Sequence, residues 1–180
     1  MDTIIVEFAK LIIPSAIVLY AMYLMVKSFL DKEMAQRFAE TKVVTAKEML
    51  PIRLQAYERI SLLLERIAPN NLILRLSDSD YSYKELQQIL IANVREEYNH
   101  NLSQQIYVSD QVWELTTSAV EDVVMTINQG ADSLPKDARG IDLAKKVFDI
   151  QGEKQVDPIV HALGTLKQEV RTIFWVVRIL

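Results

Sequence analysis

Residues 11–26 read LIIPSAIVLYAMYLMV, a run of sixteen residues without a charge between Lys10 and Lys27. As an α-helix the run is about 24 Å long, and extending it back to Ile4 gives about 34 Å, enough for the ~30 Å hydrocarbon core of a bilayer. The run is apolar on every side, whereas a surface helix of a globular domain keeps a polar face. It therefore predicts one N-terminal transmembrane helix, with residues 1–27 as the anchor.

The charges that flank this span predict its orientation. Lys27, Lys32, Arg37 and Lys42 follow it, whereas Lys10 and the α-amino group precede it. Lys and Arg favour the cytoplasmic side of a membrane. We therefore expect the N-terminus outside and the rest of the chain in the cytoplasm.

Composition limits the classes of function that the rest of the chain can serve. Residues 27–75 carry nine Lys and Arg against six Asp and Glu, and residues 76–180 carry ten against sixteen. An acidic distal part is unsuited to nucleic acid, because binding there depends on neutralising phosphates. The absence of cysteine excludes disulfides, thiolate metal sites and a cysteine nucleophile.

The pattern after the span is helical. Residues 28–50 predict a helical stalk, and Pro51 predicts a break or kink after it. Residues 51–68 predict an amphipathic helix whose inward face is Ile52, Ala56, Ile60, Leu63 and Ile67. PNN at 69–71 is expected to end that helix, and LILRL at 72–76 to be either extended or one helical turn.

Helix start and stop signals divide the remainder. Ser82 with Glu85 predicts a capping box. Ser109 predicts the start of a helix that ends at Gly130. Asp157 followed by Pro158 predicts the start of the last helix. The expected fold is all-α, with residues 51–180 forming a cytoplasmic bundle of about four to five helices.

The last helix carries apolar residues at alternating spacings of four and three, which is a heptad pattern. This seam either packs into the domain's own core or pairs with a second chain. Phe174 and Trp175 are candidate anchors of an interface, since aromatic residues dominate interface energetics. The candidate partner-binding residues are Ile159, Leu163, Leu166, Val170, Ile173, Phe174, Trp175 and Val177.

Glu97 and His100 stand three residues apart, as in half of the Glu-x-x-His pattern of di-iron carboxylate bundles. The second half is missing, because position 158, three residues before His161, is Pro158. A carboxylate metal site around Glu97 and His100 is therefore an alternative, and the main expectation is no catalytic residue, no cofactor and no metal. Arg53, Arg59, Arg66 and Arg75 alternate with glutamates and favour intrahelical ion pairs over an anion site.

Two stretches, PIRLQAYERISLLLERIAPNNLILRL at 51–76 and LQQILIANVREEYNHNLSQQIYVSDQVWE at 86–114, are similar to an uncharacterised family of small membrane-anchored helical proteins of Bacteroidota. The similarity is expected to cover residues 1 to about 130. It implies a bacterial inner membrane and supplies no activity and no site residues.

These observations together predict a non-enzymatic, membrane-anchored adaptor, scaffold or accessory subunit that acts through protein–protein contacts. The expected partners are the membrane, through a single span, and another protein or a second copy of the chain, with no nucleic acid. The alternatives are the metal-binding bundle enzyme around Glu97 and His100 and a self-assembling membrane-anchored structural oligomer.

Overall fold

The computed structural model describes the backbone of residues 2–179 and the side chains of residues 15–34, 36–37 and 48–175. This backbone forms six α-helices and a short 3₁₀ helix, with no strand among the described residues. The predicted all-α class is therefore confirmed. The α-helices are α1 (Asp2–Ile67), α2 (Pro69–Leu76), α3 (Tyr83–Asn101), α4 (Asp110–Asp132), α5 (Gly140–Glu153) and α6 (Pro158–Ile179), and the 3₁₀ helix is Leu102–Ile106.

The chain divides into two compact units, Met1–Glu48 and Met49–Leu180. In the first unit, the predicted anchor lies partly outside the described side chains, which begin at Ser15. No helix offers enough apolar length to cross a membrane within the part of the chain that the structure describes. The anchor at 1–27, the stalk at 28–50 and the bundle at 51–180 stay predictions.

Pro51 lies inside α1, so the predicted break at this residue is wrong. A proline removes one N–H donor and crowds the carbonyl four residues earlier, at a cost of about 3 kcal/mol in a helix interior. The turns that follow Pro51 bury six core residues, and this burial offsets such a cost. These residues are Ala56, Tyr57, Ile60, Leu63, Leu64 and Ile67. Ile52 is 44% exposed, so its predicted place on the inward face is wrong.

The PNN stretch at 69–71 follows the end of α1, as predicted, and also forms the first turn of α2. The helix α1 ends at Ile67, and Pro69 is buried at the start of α2. Proline suits the first turn because the N–H that it lacks has no partner there. LILRL is therefore helical, with Leu72 and Ile73 in the core. The second unit holds the end of α1 and five further α-helices, one segment more than predicted.

The helices α3 and α5 begin side by side. The Ser82–Glu85 capping box is confirmed, with Ser82 N donating to Glu85 Oε2 at 2.9 Å. Gly140 N donates to Tyr81 O at 2.8 Å, and Tyr83 N donates to Ala138 O at 3.3 Å. These backbone bonds join the first turns of two helices that are far apart in the sequence.

Gly130 lies within α4, which continues to Asp132, so the predicted helix end at this glycine is wrong. A Cβ at Gly130 would lie 3.2 Å from both Leu143 Cδ1 and Val147 Cγ2 on α5. The glycine therefore serves the close approach of α4 to α5 rather than a helix cap.

Gly164 lies on α6 and has no such constraint, because nothing stands within 4 Å of the position of a Cβ. We expect Gly164→Ala to raise the free energy of unfolding by about 0.5–1 kcal/mol, the usual gain in an exposed helix. Gly130→Ala should gain less, since Leu143 and Val147 must shift. Urea titration followed by tryptophan fluorescence measures both, because both tryptophans lie in the second unit. A destabilised Gly164→Ala would contradict the open surface.

Candidate functional site

Glu169 on α6 gathers polar groups from two other parts of the second unit. Its Oε1 accepts hydrogen bonds from Tyr57 OH at 2.5 Å and from Ser109 N at 3.1 Å, and its Oε2 accepts one from Ser109 Oγ. Arg53 Nη2 lies 3.4 Å from Oε1. Arg53, Tyr57, Ser109 and Glu169, here called the Glu169 cluster, tie α1 and the start of α4 to α6.

Arg53 and Ser109 each make a second contact that fixes the cluster. Arg53 Nε donates to Tyr107 O at 3.0 Å, and its Nη2 donates to Tyr57 OH at 2.7 Å. Ser109 Oγ also accepts from Val112 N at 3.3 Å, as the predicted cap of α4. Every member of this partly buried cluster is therefore hydrogen-bonded to another member.

Burial raises the pKa of Tyr57 from 10.0 to about 12. The value of about 12 also includes the hydrogen bond to Glu169 and the negative charge of that carboxylate, which raise the pKa, and Arg53, which lowers it. The phenol is neutral at physiological pH, as it is at its ordinary pKa, and it serves as a donor to Glu169.

The raised pKa of Tyr57 predicts a loss of stability at alkaline pH. The phenol ionises in the unfolded chain near pH 10 but in the folded chain near pH 12, so its contribution is complete below pH 10 and is lost as the pH rises toward 12. By about pH 11 the stability advantage of the parent over Tyr57→Phe should shrink by about 1 kcal/mol. Urea titrations of both proteins at several pH values measure this; a constant difference would contradict the shifted pKa.

A groove of about 390 Å³ lies beside the cluster, between the end of α1 and α6. Its walls are almost wholly apolar, and charged side chains at its edge come from Glu58 on α1 and from Lys167 and Arg171 on α6. The apolar part is formed mainly by Leu54, Tyr57, Leu166, Val170 and Phe174, and Ser61 also lines the groove.

The heptad seam of α6 packs within its own domain over the described side chains. Ile159 and Leu166 are core residues, each 5% exposed, and Leu163, Val170 and Ile173 pack against the core. The helix begins as predicted, with Asp157 Oδ1 accepting from Ile159 N at 2.8 Å. Of the two interpretations left open for the seam, packing into the domain's own core is the one observed here. Val177 lies outside the described side chains.

The remaining candidate partner-binding residues point outward. Phe174 is 50% exposed and Trp175 is 63% exposed. Arg171 and Lys167 are exposed on the same helix, about one turn and two turns before Phe174 respectively. We call Lys167, Arg171, Phe174 and Trp175 the α6 face. The sequence pattern marks the aromatic pair as a candidate interface anchor, but it does not mark the two cations as part of the same surface.

Arg66 and Arg75 bond to a neighbouring helix rather than along their own. Arg66 Nη2 lies 2.5 Å from Glu97 Oε1, and Arg75 Nη2 donates to Asn93 Oδ1 at 2.9 Å. Since Glu97 and Asn93 both lie on α3, the expectation of intrahelical pairs is wrong for these two arginines. It is also wrong for Arg53, whose carboxylate partner Glu169 lies on α6. The long guanidinium side chain reaches a partner that sequence spacing does not reveal.

Among the described side chains, Glu97 and His100 do not form a metal site. Glu97 is engaged by Arg66, and His100 is exposed. His161 is exposed on α6. Within the described residues, no three His, Asp or Glu side chains are grouped so that they could hold a metal ion.

The described helices define an all-α protein whose second unit is a helical bundle with a partly buried polar cluster and an apolar groove. The chain belongs to a family of unknown function, DUF7935, whose profile matches residues 3–173. The match extends well beyond the residues expected from the sequence similarity. No curated protein matches the chain, and no solved structure matches it either.

Proposed function

We propose that this protein is a membrane-anchored, non-enzymatic adaptor, scaffold or accessory subunit that acts through contacts with other proteins. The observation that carries the proposal is the exposed apolar surface of α1 in the first unit. Ile17, Leu19 and Met25 are 64%, 67% and 74% exposed, and their neighbours are similar. A helix that is apolar on every side needs lipid or protein around it.

The charge pattern supports a span and an orientation for this segment. Residues 4–26 cover about 34 Å as a helix, which matches a bilayer core. The cations that follow favour an N-terminus outside and a cytoplasmic body. The bacterial inner membrane is the proposed location, in line with the resemblance to membrane-anchored proteins of Bacteroidota that the two sequence stretches suggest.

The second unit supports a role in binding rather than in chemistry. The polar side chains of the Glu169 cluster are hydrogen-bonded to one another and hold helices together. The exposed features beside them are an apolar groove and an aromatic pair, which are typical of contact surfaces.

Membrane fractionation tests the anchor. We expect the full chain to remain in the membrane pellet after an alkaline carbonate wash and to be released by detergent. Leu19→Arg places a charge near the middle of the span, where it costs about 3 kcal/mol for insertion, and should move protein to the soluble fraction. Met34→Arg, beyond the span, is the matched control. Parent protein that is soluble without detergent would contradict the anchor.

Crosslinking in native membranes tests the adaptor role. We expect a reproducible heterologous protein to be crosslinked to the full chain, and we expect this crosslink to be lost when the second unit is unfolded by a charge buried in its core, as in Leu63→Asp. Crosslinks to further copies of the chain alone would contradict the adaptor and would favour the self-assembling structural oligomer instead.

A further inference from the structure

The outward side of α6 combines cations with aromatic rings. Lys167, Arg171, Phe174 and Trp175 follow one another at spacings of four, three and one, so Arg171 lies one turn from both rings. All four are exposed. Among the described residues, neither Lys167 nor Arg171 forms a salt bridge. Exposed cations beside large aromatic side chains are characteristic of helices that lie in a membrane interface.

The one acidic residue of α6 does not cancel this charge. Glu169 accepts hydrogen bonds from Tyr57 and Ser109, and its side chain is only 18% exposed. Across the groove stands one carboxylate, Glu58, against the two cations of α6. The α6 face is therefore cationic on a chain whose net charge is −4.

We propose that the α6 face is a membrane-contact surface that binds the anionic headgroups of phospholipids. This inference rests on the proposed function, because the tether holds the second unit near the bilayer and so raises its local concentration there. The cations of the face complement a negatively charged leaflet, which the net charge of the chain would otherwise oppose. Trp175 supplies a ring that prefers the headgroup region.

Binding through this face fixes which side of the second unit meets the lipid. The helix α6 packs on α4 and contacts the end of α1 through Glu169, whereas α2 packs on α3 and α5. The exposed Leu74 lies on α2, outside the α6 face, and stays a candidate surface for a protein partner while α6 is engaged.

Trp175 is itself the reporter for a test, because the chain has two tryptophans and Trp113→Phe leaves one. The full-length Trp113→Phe protein is reconstituted into phosphatidylcholine vesicles with or without about 30 mol% phosphatidylglycerol. The vesicles also contain lipids that are brominated on the acyl chain, which quench a nearby indole. Phenylalanine keeps the ring that stacks on Tyr98, and circular dichroism checks the fold.

We expect quenching of Trp175 to be at least about twofold greater with phosphatidylglycerol, and to fall to the phosphatidylcholine level in Lys167→Gln/Arg171→Gln. The matched control, Lys136→Gln/Lys145→Gln, removes the same charge from exposed positions elsewhere and should retain the quenching. Quenching that is absent from both vesicles, or that is unchanged by Lys167→Gln/Arg171→Gln, would overturn the inference. A concentration-dependent change in Trp175 emission without lipid would also overturn it, in favour of a protein contact.

Flotation of the same vesicles separates this inference from the proposed function. If the protein floats but Trp175 is not quenched, the result supports the membrane anchor and contradicts the α6 contact. If the protein does not float, the result contradicts the membrane anchor. If Trp175 also stays unquenched when vesicles are added, the result contradicts the α6 contact as well.

Discussion

Leu63→Ala should lower the free energy of unfolding of the second unit by about 3 kcal/mol, within the usual range of 2–5 kcal/mol for a buried leucine. The side chain of Leu63 is 0% exposed and lies in the core. Truncation removes apolar contacts and leaves a cavity that the close-packed helices fill only in part. Urea titration followed by tryptophan fluorescence measures the loss.

Leu62→Ala is the control for this substitution. Leu62 is the adjacent residue on the same helix and has the same chemistry, but it is 50% exposed. We expect a change of less than about 0.5 kcal/mol, typical of surface substitutions. Equal losses for the two variants would mean that the face of α1 buried against the second unit has been assigned incorrectly.

Glu169→Ala is expected to have an effect of similar size, about 3 kcal/mol, through a different mechanism. The substitution takes the acceptor from Tyr57 OH and Ser109 N at once. Tyr57 is 3% exposed, so water cannot easily replace the carboxylate. Leaving a buried donor without an acceptor costs more than the net value of the hydrogen bond.

Glu96→Ala, at an exposed position on α3, serves as the control and should change stability little. A double-mutant cycle with Tyr57→Phe then isolates the contact between the two residues. Because they share one hydrogen bond, the double variant should be more stable than the sum of the single losses predicts, by about 1 kcal/mol. Strict additivity would show that Tyr57 and Glu169 act independently.

Local features of this chain were predictable because they depend on neighbours in sequence. The cap of α3 is formed by Ser82 and Glu85, and both lie within one turn. The buried positions Leu86, Leu90 and Val94 repeat at the helical period. Ser109 and Asp157 begin helices where their chemistry predicts.

The predictions that were wrong concern residues whose contacts lie far away in sequence. Gly130 reads as a helix end in isolation, but its neighbours on α5 give it a packing role. Arg66 stands near glutamates on its own helix and yet binds Glu97, thirty-one residues away. Lys154, directly after α5, pairs with Asp122 on α4, and no pattern in the sequence predicts this contact. Spacing along one chain shows which residues share a helix face but not which face lies opposite.

Ser109 has two duties whose combination affects how the domain opens. Its Oγ caps α4 by accepting from Val112 N, and the same residue donates twice to Glu169 on α6. When α6 detaches, the residue that begins α4 loses the carboxylate that holds it in place. Amide hydrogens in the first turn of α4 should then exchange with solvent at rates that follow the detachment of α6, so that the two helices behave as one cooperative opening unit.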